Sequence, residues 1–304
     1  MRRPSGEQYE IAFGDHRVVV VEVGGGLRTY TVDGRDVVDG YGAGEMATAG
    51  RGQLLIPWPN RLQDGSYEFA GDTHQVALNE PARSNAIHGL VRWVSWQERE
   101  REPHRVVLTH ALHPQPGYPF SLELAIEYEL AATGLAVRTT ATNVGAATCP
   151  YGSGAHPYLR VGTETIDDVL LRVPARTALR SDDRGIPVGT VPVGGTELDF
   201  RTAQPIGGTK LDTCFTDLER DEAGLAHVEL SAGEARLALW ADEAYPYVMV
   251  FTGDLPAVNR GGLAVEPMTC PPNAFRSGES LATLEPGDSH TAAWGLSPTI
   301  EVRE

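Results

Sequence analysis

Lysine is almost absent from this sequence of 304 residues, since Lys210 is the only lysine among its 25 basic residues. Schiff-base chemistry would therefore depend on a single candidate amine. The sequence also lacks a glycine-rich loop that ends in Lys-Ser or Lys-Thr, which excludes the usual phosphate cradle of P-loop nucleotide-binding proteins. Two common kinds of site are thus unsupported from the start.

Cysteines are equally scarce. Cys149, Cys214 and Cys270 are odd in number, widely spaced and free of Cys-x-x-Cys pairing. This pattern favours reduced thiols over a disulfide framework or a zinc site, and it predicts a cytoplasmic protein. No run of about 18 apolar residues is present, which excludes a transmembrane helix. The N-terminal residues 1–7 (MRRPSGE) lack the apolar stretch of a signal peptide.

Positive charge is in deficit, with 25 basic against 41 acidic residues and a net charge of -16. A field of that sign disfavours nucleic acid and membranes as partners. It also disfavours phosphorylated ligands, unless a local basic pocket overrides the field. The hydrophobic content of 41% is sufficient for a large buried core.

Amphipathic helices of ten or more residues are missing too, and polar and apolar residues alternate instead with the period of two that is typical of strands. The clearest alternation covers residues 121–130 (SLELAIEYEL), and Asp33-Gly34 is a strong hairpin turn signal. The predicted strands are residues 17–23, 27–32, 121–130, 135–140, 226–230 and 235–241.

Glycine and proline, 34 and 21 residues, interrupt these strands at short intervals. We therefore predict an all-β fold of two packed antiparallel sheets. No repeat or charged linker marks a boundary, so residues 1–304 are expected to form a single domain. Residues 188–196 are interpreted as a loop, and residues 99–102 (RERE) as a mixed-charge turn.

Glu266 is the best indication of function in the chain. It stands between an apolar run and a segment that contains three prolines, residues 265–275 (VEPMTCPPNAF). Proline fixes φ and donates no backbone hydrogen bond, so the carboxylate is held in one direction. Such rigidity suits a catalytic base, and the alternative is a strand-end glutamate that merely faces water.

Other segments are constrained in a similar way. They are residues 57–61 (PWPNR), 64–71 (DGSYEFAG), 85–89 (NAIHG), 152–158 (GSGAHPY) and 211–215 (LDTCF). Together with the segment around Glu266, this ordered set resembles the aldose 1-epimerases, or mutarotases, of the galactose mutarotase-like superfamily. The resemblance spans most of the chain and implies their large antiparallel β-sandwich, which is sometimes called a supersandwich.

The resemblance also implies an isomerase of carbohydrate metabolism that needs no cofactor and no metal. Glu266 matches the general base of the family and His156 its general acid. Arg61 and His88 match positions that contact sugar oxygens, and Asp212 matches a carboxylate that accepts hydrogen bonds from sugar hydroxyls. The implied partner is a small-molecule sugar, and the chain is expected to be a monomer or a homodimer.

Purely structural roles stay open for each of these residues. His156 could be a capped strand-end imidazole packed under Tyr158, and Arg61 could form a surface ion pair. His88 and Asp212 could each cap a turn. Trp58 is either a stacking platform for a pyranose or a packing anchor.

Three histidines, His104, His110 and His113, lie close in sequence but lack cysteine or paired carboxylate neighbours, which favours a solvated strand and loop over a metal site.

Three functions agree with the sequence. The first is interconversion of the anomers of a free aldohexose such as galactose or glucose. The second is a hexose-6-phosphate 1-epimerase, for which Arg83, Arg92 or Arg160 would have to turn toward the pocket. The third is a noncatalytic carbohydrate-binding sandwich, which the joint presence of Glu266 and His156 disfavours because binding alone needs no acid and base.

Overall fold

Antiparallel strands form almost all of the regular structure in the computed structural model, which describes residues 3–256 and 258–299. The first thirteen strands are β1 Gln8–Phe13, β2 His16–Val21, β3 Leu27–Val32, β4 Arg35–Asp36, β5 Leu54–Leu55, β6 Arg61–Gln63, β7 Ser66–Phe69, β8 Asp72–Gln75, β9 Asn85–Ile87, β10 Gln97–Glu102, β11 Arg105–Leu112, β12 Leu122–Ala131 and β13 Gly134–Asn143. The remaining strands are β14 Cys149–Tyr151, β15 Gly154–Ala155, β16 Tyr158–Leu159, β17 Leu170–Arg172, β18 Ala175–Ser181, β19 Pro187–Pro192, β20 Gln204–Pro205, β21 Asp212–Leu218, β22 Ala226–Ala232, β23 Ala235–Ala241, β24 Tyr247–Phe251, β25 Leu263–Met268, β26 Ala282–Leu284 and β27 Ser289–Thr299.

Helices are short. A 3-10 turn covers Pro81–Arg83, and one α-helix, α1, covers Ala274–Ser277. Within the described residues, no helix is long and apolar enough to cross a membrane.

Two large sheets dominate the fold. One has nine strands in the order β10-β11-β12-β13-β27-β23-β22-β17-β20. The other has the order β19-β18-β21-β24-β25-β15-β5, with β16 also paired to β25. A four-stranded sheet, β1-β2-β3-β4, and three two-stranded ribbons complete the described part of the chain. The prediction of a large antiparallel β-sandwich is confirmed.

The core lies between the two large sheets because each strand contributes every second side chain to it. Ile126 and Val137 reach it from the nine-stranded sheet, and Val250 and Val265 reach it from the other. Strand β12 is buried at alternate positions along its whole length, as its sequence predicts. The hairpin predicted at Asp33-Gly34 joins β3 to β4.

Two sequence interpretations are wrong in part. Residues 99–102 lie in β10 and not in a turn, and most of residues 188–196 lie in β19, where a loop was expected. Both strands are edges of their sheets and have mainly exposed side chains. An edge strand with mainly exposed side chains has no regular polar and apolar alternation, so the pattern that revealed the other strands is missing.

Strand β25 positions the site because its two faces have different neighbours. Val265 faces the large core, whereas Glu266 lies on the opposite face, in register with Met249 of β24. Asp212 pairs with Phe251, two residues along β24 from Met249, and therefore shares the face of Glu266. All six residues of β25 are buried.

Candidate active site

Glu266 and His156 meet in a buried pair. The Oε1 atom of Glu266 lies 3.3 Å from Nε2 of His156, and the two residues are 2% and 4% exposed. His156 follows β15, and the amide of Gly52 donates to its carbonyl oxygen at 2.9 Å. The imidazole stacks on Tyr158, with ring centroids 5.1 Å apart. His156 therefore packs against Tyr158, which is the structural role that the sequence left open, and it also pairs with Glu266.

Burial opposes the charged form of both groups. It raises the pKa of Glu266 well above its usual range, and Asp212 raises it further while Arg61 opposes the shift. Burial lowers the pKa of His156 to about 3, and Arg92 adds to the shift. Both directions favour an uncharged pair in which the carboxyl group holds the proton.

His88 contributes a second imidazole whose tautomer is set by the backbone. It ends the ribbon of β6 and β9, and the amide of Asn60 donates to its Nδ1 atom at 3.2 Å. Burial, followed by the charge of His156, lowers the pKa of His88 well below its usual range. The neutral ring therefore carries its proton on Nε2, which makes that atom a donor for a hydroxyl oxygen. The ring meets that of His156 edge to face, 5.3 Å between centroids.

Arg61 and Asp212 stand in an ion-pair network at the other side of the pocket. The Nε atom of Arg61 donates to Glu80 Oε2 at 3.1 Å, and its Nη1 atom donates to Asp212 Oδ2 at 3.4 Å. Arg83 approaches the same oxygen of Asp212 at 3.8 Å. Arg61 is mostly buried, so the alternative of a surface ion pair does not describe it.

All five predicted site residues line one cleft of about 420 Å³. The cleft is lined by Ala47, Ala49, Gly50, Gln53, Asn60, Arg61, Asn79, Glu80, Ala82, Arg83, Ile87, His88, Arg92, Trp93, His156, Asp212, Phe251, Leu255 and Glu266. A second cleft of similar volume, about 440 Å³, lies at His110 and Glu123 on the nine-stranded sheet, away from this pair.

Some pocket residues escaped the sequence analysis. Glu80 and the exposed Trp93 were missed, because no motif marks them. Trp58, in contrast, is buried against Phe275, 5.5 Å between ring centroids, and is a packing anchor.

The arginines that were left open in the sequence are now placed. Arg83 and Arg92 turn toward the pocket, and Arg160 does not. Arg160 pairs with Asp36 and Asp39 elsewhere on the surface.

His88, His156 and Glu266 have the composition of a metal site. One ligand-type atom from each lies within 4.8 Å of the others. The Nδ1 atom of His88 is already engaged by Asn60, which leaves Nε2 as its free nitrogen. His104, His110 and His113, which are close in sequence, are not part of this group. The ring of His110 instead contacts the carbonyl oxygen of Ser95.

The fold and the pocket define a β-sandwich protein of the galactose mutarotase type. The GalM/aldose epimerase homologue from C. elegans superposes with a TM-score of 0.86 at 18% identity, over 96% of this chain and 98% of that one. The galactose 1-epimerase from Lactobacillus acidophilus NCFM gives a TM-score of 0.82 at 22% identity, over 98% and 96%. At these identities the likeness concerns the fold.

Sequence comparison identifies the family. The uncharacterized protein YihR of Escherichia coli (strain K12) is 38% identical over 288 residues, which cover 94% of this chain and 91% of YihR. The family model described as Aldose 1-epimerase matches residues 7–297. The chain belongs to the aldose 1-epimerase family, and it is an isomerase that acts on carbohydrates.

Proposed function

We propose that this protein interconverts the α and β anomers of an aldohexose, of which galactose and glucose are the simplest, with Glu266 and His156 as its proton-transfer pair. The observation that carries the proposal is the buried contact of 3.3 Å between the carboxylate and the imidazole inside the cleft. No step of the proposal depends on a cofactor.

Anomer exchange requires two proton transfers, each at an oxygen that is bonded to C1. The hydroxyl on C1 gives up its proton while the bond between C1 and the ring oxygen breaks, and the ring oxygen gains a proton. The open aldehyde then turns about the C1–C2 bond, and the ring closes on the other face. Both oxygens are attached to C1, so the base and the acid must be neighbours, as Glu266 and His156 are.

The pair needs one proton in total. With the proton on His156, Glu266 is the base for the anomeric hydroxyl and His156 is the acid for the ring oxygen. In the empty cleft burial favours the proton on Glu266. A sugar hydroxyl that donates to the carboxylate favours its ionised form, and transfer to the adjacent imidazole prepares the proposed state. Ring closure then exchanges the two roles.

The remaining predicted residues are assigned to binding. His88 offers Nε2–H, and Arg61 has Nη donors left after its contacts with Glu80 and Asp212. Asp212 is partly exposed and presents a carboxylate as an acceptor for sugar hydroxyls. A noncatalytic sugar-binding protein would gain nothing from burying Glu266 beside His156, which costs folding free energy.

The test of catalysis is Glu266→Gln, followed by polarimetry on freshly dissolved α-galactose and α-glucose. Glutamine keeps the shape but removes the base, so the rate should fall by about 10²- to 10⁴-fold. Sugar binding, measured by calorimetry, should survive. His156→Gln should behave in the same way, and mutarotation near the wild-type rate by Glu266→Gln would sink the proposal.

Binding variants should behave differently. Arg61→Ala and Asp212→Ala should weaken sugar binding as well as the rate, because these groups hold hydroxyls in both the ground and the transition state. The measurement is KM and kcat, with a separate binding titration. An effect confined to kcat would contradict the assignment of either residue to binding.

A further inference from the structure

Glu80 contacts the Nε side of the Arg61 guanidinium. Both oxygens of the carboxylate accept from Nε of Arg61, at 3.2 Å for Oε1 and 3.1 Å for Oε2. The side chains of Arg61 and Glu80 are 10% and 21% exposed, so the pair is mostly shielded from water. Because the guanidinium is rigid and planar, an acceptor at Nε also restricts the directions of Nη1 and Nη2.

The contact of Arg61 with Asp212 uses one atom of each side chain. Nη1 of Arg61 donates to Oδ2 of Asp212 at 3.4 Å, and Arg83 approaches the same oxygen at 3.8 Å. Within the described residues, Nη2 of Arg61 and Oδ1 of Asp212 have no hydrogen-bond partner. One donor and one acceptor are therefore left for sugar hydroxyls.

An arginine and a carboxylate that are free to turn favour a different arrangement. They form two parallel hydrogen bonds, which use two nitrogens and both oxygens. In such a pair Arg61 and Asp212 would satisfy each other, and the donor and the acceptor would be lost to the sugar. The hold of Glu80 on Nε opposes this rearrangement, because the guanidinium would have to leave Glu80 in order to turn.

The loop of residues 80–85 fixes the Glu80 carboxylate in turn. The amide of Glu80 donates to the carbonyl oxygen of Asn85 at 3.0 Å, and the amide of Asn85 donates back to that of Glu80 at 3.2 Å. The Nδ2 atom of the buried Asn85 donates to Oε2 of Glu80 at 3.0 Å. The 3-10 turn between them begins with Pro81, which restricts the backbone further.

Arg184, at the tip of the hairpin of β18 and β19, holds this loop from outside. Its Nε atom donates to the carbonyl oxygen of Arg83 at 2.8 Å, and its Nη2 atom donates to Oδ1 of Asn85 at 3.3 Å. Nδ2 of Asn85 donates to the carbonyl oxygen of Arg184 at 2.9 Å. The next residue, Gly185, lies against the guanidinium of Arg61, since a Cβ atom there would be 2.6 Å from Nη1.

We propose that Glu80 is a positioning residue for sugar binding: by holding Nε of Arg61 it prevents a bidentate pair between Arg61 and Asp212, and so keeps Nη2 and Oδ1 for sugar hydroxyls. Arg184 supports this arrangement by holding the loop that carries Glu80. The inference rests on the proposed function, because that function assigns sugar binding to Arg61 and Asp212.

Polarimetry on α-galactose and α-glucose gives kcat and KM for wild type, Glu80→Ala, Glu80→Gln, Arg61→Ala and the double variant Glu80→Ala/Arg61→Ala. Thermal denaturation first establishes that each variant is folded at the assay temperature. Glu80→Ala should raise KM on the order of 10-fold, with a smaller change in kcat, because uniform binding is lost. Glu80→Gln keeps one oxygen acceptor for Nε and should restore part of the loss.

The double variant distinguishes positioning from direct contact with the sugar. If Glu80 acts through Arg61, Glu80→Ala should change KM less than about twofold in the Arg61→Ala background. A rise in that background as large as in wild type would mean that Glu80 binds the sugar itself or only supports the loop, and the inference would be overturned. It would be overturned equally if Arg61→Ala raised KM and Glu80→Ala did not.

Arg184→Gln tests the support, with Arg276→Gln as the matched control. Arg184 and Arg276 donate to the two oxygens of Asp64, at 2.7 Å and 3.2 Å. Within the described residues, Arg276 makes no hydrogen bond to the loop of residues 80–85. Arg184→Gln should raise KM, though less than Glu80→Ala does, and Arg276→Gln should leave it unchanged. Equal effects of the two variants would overturn the role of Arg184.

NMR of the arginine Nε–H groups separates this inference from the proposed function, because it requires no sugar. In protein with ¹⁵N-labelled arginine, the Arg61 signal is identified by its absence from Arg61→Ala. Its exchange with water should be at least about tenfold faster in Glu80→Ala than in wild type, because the hydrogen bonds that protect it are lost. Arg276→Gln should not change it.

Equal exchange of the Arg61 Nε–H in wild type and Glu80→Ala would overturn the inference, whatever the activity. If wild type interconverts no anomers, or if Arg61→Ala leaves KM unchanged, the proposed function fails. The NMR result then still decides whether Glu80 holds Arg61.

Discussion

Glu266 and His156 each lose solvation on folding, and the two losses act in opposite directions on the pH dependence of stability. A buried carboxyl group whose pKa is raised destabilises the fold as the pH rises above the unfolded pKa. A buried imidazole whose pKa is lowered destabilises it as the pH falls below the unfolded value. The structure keeps both groups buried, which is expected where they serve chemistry and not stability.

Glu266→Gln should therefore stabilise the protein, and more so at high pH. Glutamine does not ionise, whereas wild type pays an increasing cost above the unfolded pKa of about 4.3. The difference in unfolding free energy should grow by up to about 1.4 kcal/mol per pH unit until the raised pKa is reached. His156 is present in both proteins, so its own titration largely cancels.

Urea denaturation at pH 5, 6, 7 and 8 measures this difference. Glu68→Gln, which replaces an exposed carboxylate on β7, controls for the loss of one negative charge. A stability difference that does not change with pH would show that the carboxyl group of Glu266 is not strained by its burial.

The sequence predicted which residues belong to the cleft better than it predicted the direction in which each side chain points. Glu266, His156, Arg61, His88 and Asp212 were chosen from motifs, and the structure brings all of them to one cleft. Their catalytic and binding roles stay predictions. Arg92 and Arg160 were indistinguishable in sequence because the direction of a long side chain depends on neighbours that are remote in the chain. Trp93 carried no local signal, for the same reason.

At the scale of elements, strands were predictable where one face is buried. The alternation in β12 and the turn between β3 and β4 are local properties of the sequence. The charged edge strand β10 was not predictable, since its pairing with β11 stabilises it and its own pattern does not. The loop before β5, which contains Gly50, was also not predictable. It lies against the ring of His156, which is remote in sequence.

The backbone of this loop lies close to the ring of His156 at Gly50. A Cβ atom at Gly50 would lie 2.6 Å from Cδ2 of His156, and the φ of Gly50 is +82°. Gly50→Ala should thus cost about 1–2 kcal/mol of stability from backbone strain, and it should also displace the imidazole. A displacement of about 1 Å at a reacting group costs on the order of 10²-fold in rate.

The matched control is Gly71→Ala. Gly71 has a similar φ of +90°, but an added Cβ would meet nothing within 4 Å. Both variants should lose thermal stability. Only Gly50→Ala should lose mutarotation activity at a temperature where both are folded. If the two variants lost activity equally, the contact with His156 would have no part in catalysis.

At the scale of the whole molecule, pairing between strands that are remote in sequence assembles the cleft, and local sequence patterns do not predict that pairing. Arg61 and Glu266 are remote in sequence, yet the ribbon of β6 and β9 and the strand β25 bring them to the same cleft. The single domain over residues 1–304, the cytoplasmic location and the monomeric or dimeric state stay predictions.

The same long-range assembly gathers His88, His156 and Glu266 into a set that resembles a metal centre. The proposed reaction uses the Nε2 atom of His156 and the carboxylate of Glu266 for proton transfer, and a bound metal ion would occupy both.

Protein dialysed exhaustively against EDTA should therefore retain its full mutarotation rate. Added Zn²⁺ should slow the reaction by competing for these atoms, and further EDTA should reverse the loss. Polarimetry on α-galactose, with the metal content measured by mass spectrometry, decides the matter. Activity that disappears with EDTA and returns with a divalent ion would mean that the three side chains hold a catalytic metal, and that the pair of Glu266 and His156 does not work by proton transfer alone.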